Sequence, residues 1–146
     1  MALFVIERVT PLPPAEAWRR LTTWERHTAT VPLTRMTVRT PPPSGTDTVV
    51  VARTGVGRLG FDDPMRVTRW EPERHCRLEK TGRVVLGWAE FDVLPRPGAG
   101  LDGGTGTFVR WREDLRVRGL PRALDGLTSL AGRLVFGRAV DTLLRP

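Results

Sequence analysis

This sequence contains no tyrosine, asparagine or glutamine, and it has one cysteine, one lysine, two histidines and two serines. Each shortage closes a route. A lone Cys76 cannot form an internal disulfide, which fits a reducing compartment. With one cysteine there is no C-x-x-C, and His27 and His75 stand too far apart for H-x-x-x-H, so no metal site is expected. Ser44 lies in a Pro-rich stretch and Ser129 in the last apolar-striped segment. Neither sits in G-x-S-x-G, which speaks against a serine hydrolase. No apolar run approaches the roughly 18 residues that span a bilayer. Met1–Glu7 carries an early acid, no basic start and no small-residue cleavage site, so a cytoplasmic protein without a signal peptide is expected.

What is present is arginine. The net charge is +7, and all but Lys80 of the 23 basic residues are arginines. They are scattered, often beside an acid (Glu7-Arg8, Glu25-Arg26, Glu73-Arg74), and no basic block reaches five residues. That distribution reads as a codon-biased solvated surface and not as a nucleic-acid footprint, so nucleic acid is not an expected partner. Nothing in the pattern specifies an oligomer.

At 146 residues the chain is expected to form one domain, 1–146, with a real core. Leu3–Thr10 reads as a strand, stopped by Pro11, Pro13 and Pro14. Two short helices follow: Ala15–Leu21, with Ala17, Trp18 and Leu21 on one face, and Trp24–Thr28. Alternating segments then read as strands over Arg35–Thr40, Thr46–Thr54, Pro64–Trp70, Cys76–Thr81, Val84–Leu94 and Thr107–Val117. Pro121–Leu144 closes the chain as a long helix whose broad apolar face includes Leu124, Leu127, Leu130 and Leu134. Its glycines, Gly126, Gly132 and Gly137, imply close packing or room left for a ligand. Such an order predicts an α+β fold, a curved antiparallel sheet wrapped around a long C-terminal helix with a hollow between them.

Gly55-Val56-Gly57-Arg58-Leu59-Gly60 spells a dinucleotide fingerprint, but that mechanism needs a helix after the third glycine. A strand follows here, so no cofactor is expected.

Polar residues on apolar faces are more telling. Side chains alternate along a strand, so Thr107, Val109, Trp111, Glu113, Leu115 and Val117 share one face. Glu113 therefore points inward. Cys76, Leu78 and Lys80 likewise share a face, which makes Lys80 a second inward candidate. A buried charge is costly unless paired, so Glu113 has either Lys80, an arginine, or ligand and water as its partner; a position on the sheet rim, reaching solvent, is the alternative. Trp70, Trp88 and Trp111 in strands, and Trp18 and Trp24 in the helical region, suit the walls of a pocket or an ordinary core. His27, three residues after Trp24, suits a hydrogen-bond partner or a general base.

Four stretches carry a resemblance: Pro13-Pro14-Ala15-Glu16-Ala17-Trp18, Trp24-x-x-His27-x-x-x-Val31-Pro32, Val67-x-x-Trp70-x-Pro72 and Gly104-x-Gly106-Thr107-x-Val109-x-Trp111-x-Glu113. In these the whole chain resembles the START-like or SRPBCC superfamily, which includes polyketide cyclases and pollen-allergen-like proteins. The resemblance implies a helix-grip fold. It also implies binding of a small hydrophobic molecule between sheet and last helix, sometimes with cyclase activity. Candidate ligand-binding residues are His27, Trp70, Lys80, Trp88, Trp111, Glu113, Leu127 and Leu134; no catalytic set transfers. The readings to separate are a carrier or sensor of a polyketide, lipid or aromatic, a cyclase or aromatase acting on one, and a basic partner-binding module with a filled core.

Overall fold

The protein is described by a computed structural model that covers residues 2–146. Seven strands form one antiparallel sheet in the order β1-β7-β6-β5-β4-β3-β2. They are β1 Ala2–Thr10, β2 Thr34–Val38, β3 Val49–Val56, β4 Leu59–Glu71, β5 His75–Lys80, β6 Val85–Pro97 and β7 Thr105–Val117. Strands β2 to β7 form a meander. The chain crosses from β1, at one edge, to β2, at the other, through α1 (Pro14–Thr22) and a 3-10 helix, Trp24–Ala29. Pro14 opens α1 where its missing N–H has no intrahelical partner. The helix buries Ala17, Trp18 and Leu21, the apolar face expected from the sequence.

The G-x-G-x-x-G stretch is the β3–β4 hairpin. Gly55 pairs with Gly60, and Val56 with Leu59. Gly55 has φ +143, and a Cβ there would lie 2.1 Å from the Leu59 carbonyl oxygen, so close strand approach and not phosphate binding requires these glycines.

The last segment is a 3-10 turn, Arg122–Leu124, followed by α2, Asp125–Leu143. Helix α2 runs beside β1 in the same direction, fastened at successive points. Ser129 Oγ donates to the Leu3 carbonyl at 2.7 Å, Arg8 Nε lies 2.6 Å from Asp141 Oδ1, and Thr10 Oγ1 donates to the Leu144 carbonyl at 2.9 Å. Gly132 explains the close approach, because a Cβ there would stand 2.5 Å from the buried Phe4 ring.

The face that α2 turns to the sheet therefore carries Gly132, Phe136, Ala139, Val140 and Leu143. Its other three leucines point the other way: Leu127 is 64% exposed and Leu134 59%, with Leu130 similar. This corrects the expected cavity face of the helix. Apolar and polar residues alternate around the helix without one dominant apolar face, and the choice of buried side is made by the tight fit against Phe4. Leu127→Asp accordingly creates no buried charge. Its expected effect on unfolding free energy is within about 0.5 kcal/mol, readable in a urea titration. A loss above 2 kcal/mol would show the leucine face to be covered.

Between sheet and helices runs a column of parallel rings. Phe91 stacks on Trp111 at 5.5 Å, Trp111 on Phe136 at 6.2 Å, and Phe136 on Phe4 at 5.7 Å. Trp18 meets this core edge-on, 5.1 Å from Trp70 and 5.6 Å from Phe91. Among the described residues no helix is long and apolar enough to cross a membrane.

Candidate functional site

A cavity of about 100 Å³ opens between the concave sheet face, the 3-10 helix and α2. Its walls are mostly apolar: Trp24, Val31, Met36, Ala52, Met65, Leu78, Ala89, Trp111 and Phe136. Polar contributions come from His27, Thr34, Thr54, Asp63, Lys80 and Glu113. Strand alternation delivers them. Glu113 on β7 pairs with Ala89 of β6, Lys80 on β5 with Met65 of β4, and Asp63 on β4 with Ala52 of β3.

The charged groups form a buried triad. Lys80 Nζ donates to Asp63 Oδ2 at 2.7 Å and lies 3.4 Å from Glu113 Oε1. The Lys80 and Glu113 side chains are 3% and 2% exposed, that of Asp63 12%. Trp111 Nε1 donates to Glu113 Oε2 at 3.2 Å. Burial raises the Glu113 carboxyl above its usual range, and Lys80 and the Trp111 N–H oppose this without cancelling it. Burial alone would lower the Lys80 ammonium, but attraction to Glu113 and Asp63 and its hydrogen bonds to them leave it raised. The geometry places the ammonium closest to Asp63, 2.7 Å against 3.4 Å to Glu113, and the Glu113 carboxyl is the more deeply buried of the two.

His27 Nε2 lies 2.9 Å from the Leu21 carbonyl oxygen. A carbonyl only accepts, so Nε2 carries the hydrogen and Nδ1 the lone pair. Burial lowers the His27 pKa, partly offset by that bond, and the ring is neutral at pH 7. It stands between the Trp24 and Trp111 rings, at 6.0 and 6.3 Å.

Of the eight sequence-derived candidates, the cavity joins His27, Lys80, Trp111 and Glu113. The other four fall elsewhere. Trp70 belongs to the core beside Trp18, carried there by a register shift in β4 between Val67 and Arg69. Trp88 lies on the opposite sheet face from Ala89, under the Arg77 guanidinium at 4.4 Å. That convex face also holds an ion network: Arg77 and Arg112 meet Glu90 at 3.1 and 2.9 Å, and His75 meets Asp92 at 2.7 Å. Leu127 and Leu134 are outside, on the exposed flank of α2. Cys76 is buried in the core, its thiol pushed up to about 12 by burial, far from a reactive thiolate. Sequence reading overlooked Asp63 and Phe136 as cavity residues, while Trp24, one of the five tryptophans suited to a pocket wall, does line it. For Asp63 the signal was present, since it alternates with Met65 and Val67 once the strand is extended N-terminally past Pro64.

No protein-family model and no curated protein matches the sequence. Solved structures do match the fold over nearly the whole chain. A START superfamily protein from Mycobacterium smegmatis superimposes with a TM-score of 0.73 at 8% identity, over 97% of this chain and 96% of that one. XoxI from Bacillus cereus gives 0.68 at 12% identity, over 99% and 94%. Ara h 8.0201 gives 0.56 at 14% identity, over 99% and 98%. At such identities the likeness speaks to architecture. A seven-stranded curled sheet, short helices after the first strand and a C-terminal helix across the concave side make this a START/SRPBCC-like helix-grip fold.

Proposed function

We propose that this protein binds a small hydrophobic molecule in the cavity between the sheet, the 3-10 helix and α2. The observation that carries the reading is a mostly apolar hollow with a paired, buried lysine and two carboxylates in its wall. At about 100 Å³ the hollow is smaller than the roughly 150 Å³ apolar cavity that takes up benzene, so one small ring is the upper limit of size and an extended polyketide or lipid does not fit. A filled core with a basic partner-binding surface fits this hollow poorly.

The test is direct. Toluene and phenol, titrated into the protein and followed through the indole N–H signals of Trp24 and Trp111, are expected to shift both. Ala52→Phe puts a ring into the space a ligand would take; it is expected to keep the fold and abolish the shifts. Unchanged indole signals in the wild type, or equal binding by Ala52→Phe, would remove the cavity from consideration.

A second reading, a cyclase- or aromatase-type enzyme, has one observation in its favour. Glu113 holds its proton more firmly than an ordinary carboxyl, as a general acid requires. Glu113→Gln separates the two: binding kept and turnover lost marks the enzyme, binding weakened marks the receptor.

A further inference from the structure

The polar complement of the cavity is unbalanced. Lys80 Nζ lies 2.7 Å from Asp63 Oδ2, 3.4 Å from Glu113 Oε1 and 3.6 Å from Met65 Sδ. An ammonium has three N–H groups, so these partners use all of them. His27 spends its one N–H on the Leu21 carbonyl. The single cation among the lining residues is thus consumed within the wall, against two carboxyl groups. An incoming anion would find no free positive donor and would leave water for a space walled by apolar groups and the Asp63 and Glu113 carboxyl groups, where an unpaired charge is costly.

Two polar atoms remain unmatched. Trp24 Nε1 and Asp63 Oδ1 are buried and have no hydrogen-bond partner among the described residues. Trp24 is 3% exposed and Asp63 9%, and both residues line the same cavity. Buried polar groups in folded proteins are almost always satisfied, and an orphaned carboxylate oxygen is the costlier of the two. What would satisfy them is a molecule with an O–H or N–H for Asp63 Oδ1 and a lone pair for Trp24 Nε1. A hydroxyl can meet either need.

We propose that the ligand, on the cavity-binding reading above, is a ring-sized molecule, neutral or cationic, that donates an O–H or N–H to Asp63 Oδ1, and that the site rejects carboxylate-bearing rings. Selectivity here is negative as well as positive: the apolar wall accepts any ring, and the excess of carboxyl groups removes anions.

Phenol, toluene and benzoate, titrated separately into the wild-type protein at pH 7 by calorimetry, differ little in bulk and test this. Phenol is expected to bind about tenfold or more tighter than toluene, the worth of a hydrogen bond to a charged acceptor, and benzoate to bind weakest of the three. Asp63→Asn turns the Asp63 Oδ1 position toward a donor while its carbonyl oxygen can still accept from Lys80. That variant is expected to lose the preference for phenol over toluene and to gain affinity for benzaldehyde, which only accepts. The wild-type comparison stands even if Asp63→Asn does not fold. Equal affinities for phenol and toluene, or benzoate binding as tightly as phenol, would overturn the donor inference and leave the cavity reading intact. Binding of none of the three would overturn both.

Discussion

Replacing Lys80 by methionine is expected to lower the unfolding free energy at pH 7 by about 3 kcal/mol. Breaking a buried pair from one side leaves its partner as an uncompensated charge, and such losses run to roughly 3–5 kcal/mol. The lower end applies because Asp63, the nearer carboxylate, keeps some exposure. The dependence on pH sharpens the test. Lys80 has a raised folded pKa, so its contribution is complete below its unfolded value of about 10.4 and is lost only as pH rises through the folded value. Glu113 also has a raised folded pKa. Its protonation supports the fold fully below about 4.3, and that support is lost as pH climbs through the folded value. Without Lys80 the Glu113 carboxyl loses the main influence opposing its burial and rises further. The deficit of Lys80→Met should therefore shrink as pH falls from 7 toward 4, because a neutral acid needs no cation. Urea titrations of both proteins at pH 7, 5.5 and 4 read this out. A deficit below 1 kcal/mol at pH 7, or one that widens in acid, would contradict the buried triad.

The two inner members of that triad were legible from the sequence for one reason. Strand alternation has a strict period of two, so a single firmly placed strand fixes the face of every residue in it. Trp111 and Leu115 fix the face of Glu113, and Cys76 and Leu78 that of Lys80. Asp63 escaped because Pro64 looked like a strand start. In the structure β4 begins at Leu59, and Pro64, opposite Val51, stands within it. Trp88 shows a different limit. Its strand is well placed, but a tryptophan on the convex face is served equally well by an arginine laid over it. Trp70 was moved by a bulge, which no alternation rule foresees. Helix α2 shows the weakest form of legibility. Its existence was plain, but with leucines on one flank and Gly132, Phe136, Ala139 and Val140 on the other, hydrophobicity alone cannot orient it. What orients it is the room one glycine leaves for Phe4, a matter of fit between two residues 128 positions apart in sequence.

Trp111 joins the core to the cavity, and its two functions should come apart under substitution. Its ring lies between Phe91 and Phe136, and its N–H holds Glu113. Trp111→Ala removes both and leaves a void in the centre of the ring column, so a loss of about 3–5 kcal/mol is expected. Trp111→Phe keeps an aromatic ring against both neighbours and removes only the donor. The Glu113 oxygen is then buried without that partner, which should cost about 1–2 kcal/mol. The smaller loss has its own signature. The Trp111 hydrogen bond favours the charged carboxylate, so without it the Glu113 pKa rises further above its unfolded value. The window in which stability falls with rising pH then extends to higher pH in Trp111→Phe than in the wild type. Denaturant unfolding across pH 4 to 9 measures both quantities. Equal losses for the two substitutions would mean that the ring column contributes little and the hydrogen bond nearly everything. A Trp111→Phe protein with wild-type stability and an unshifted pH profile would instead detach Trp111 from Glu113, and with it the argument that the core itself tunes the acid in the cavity wall.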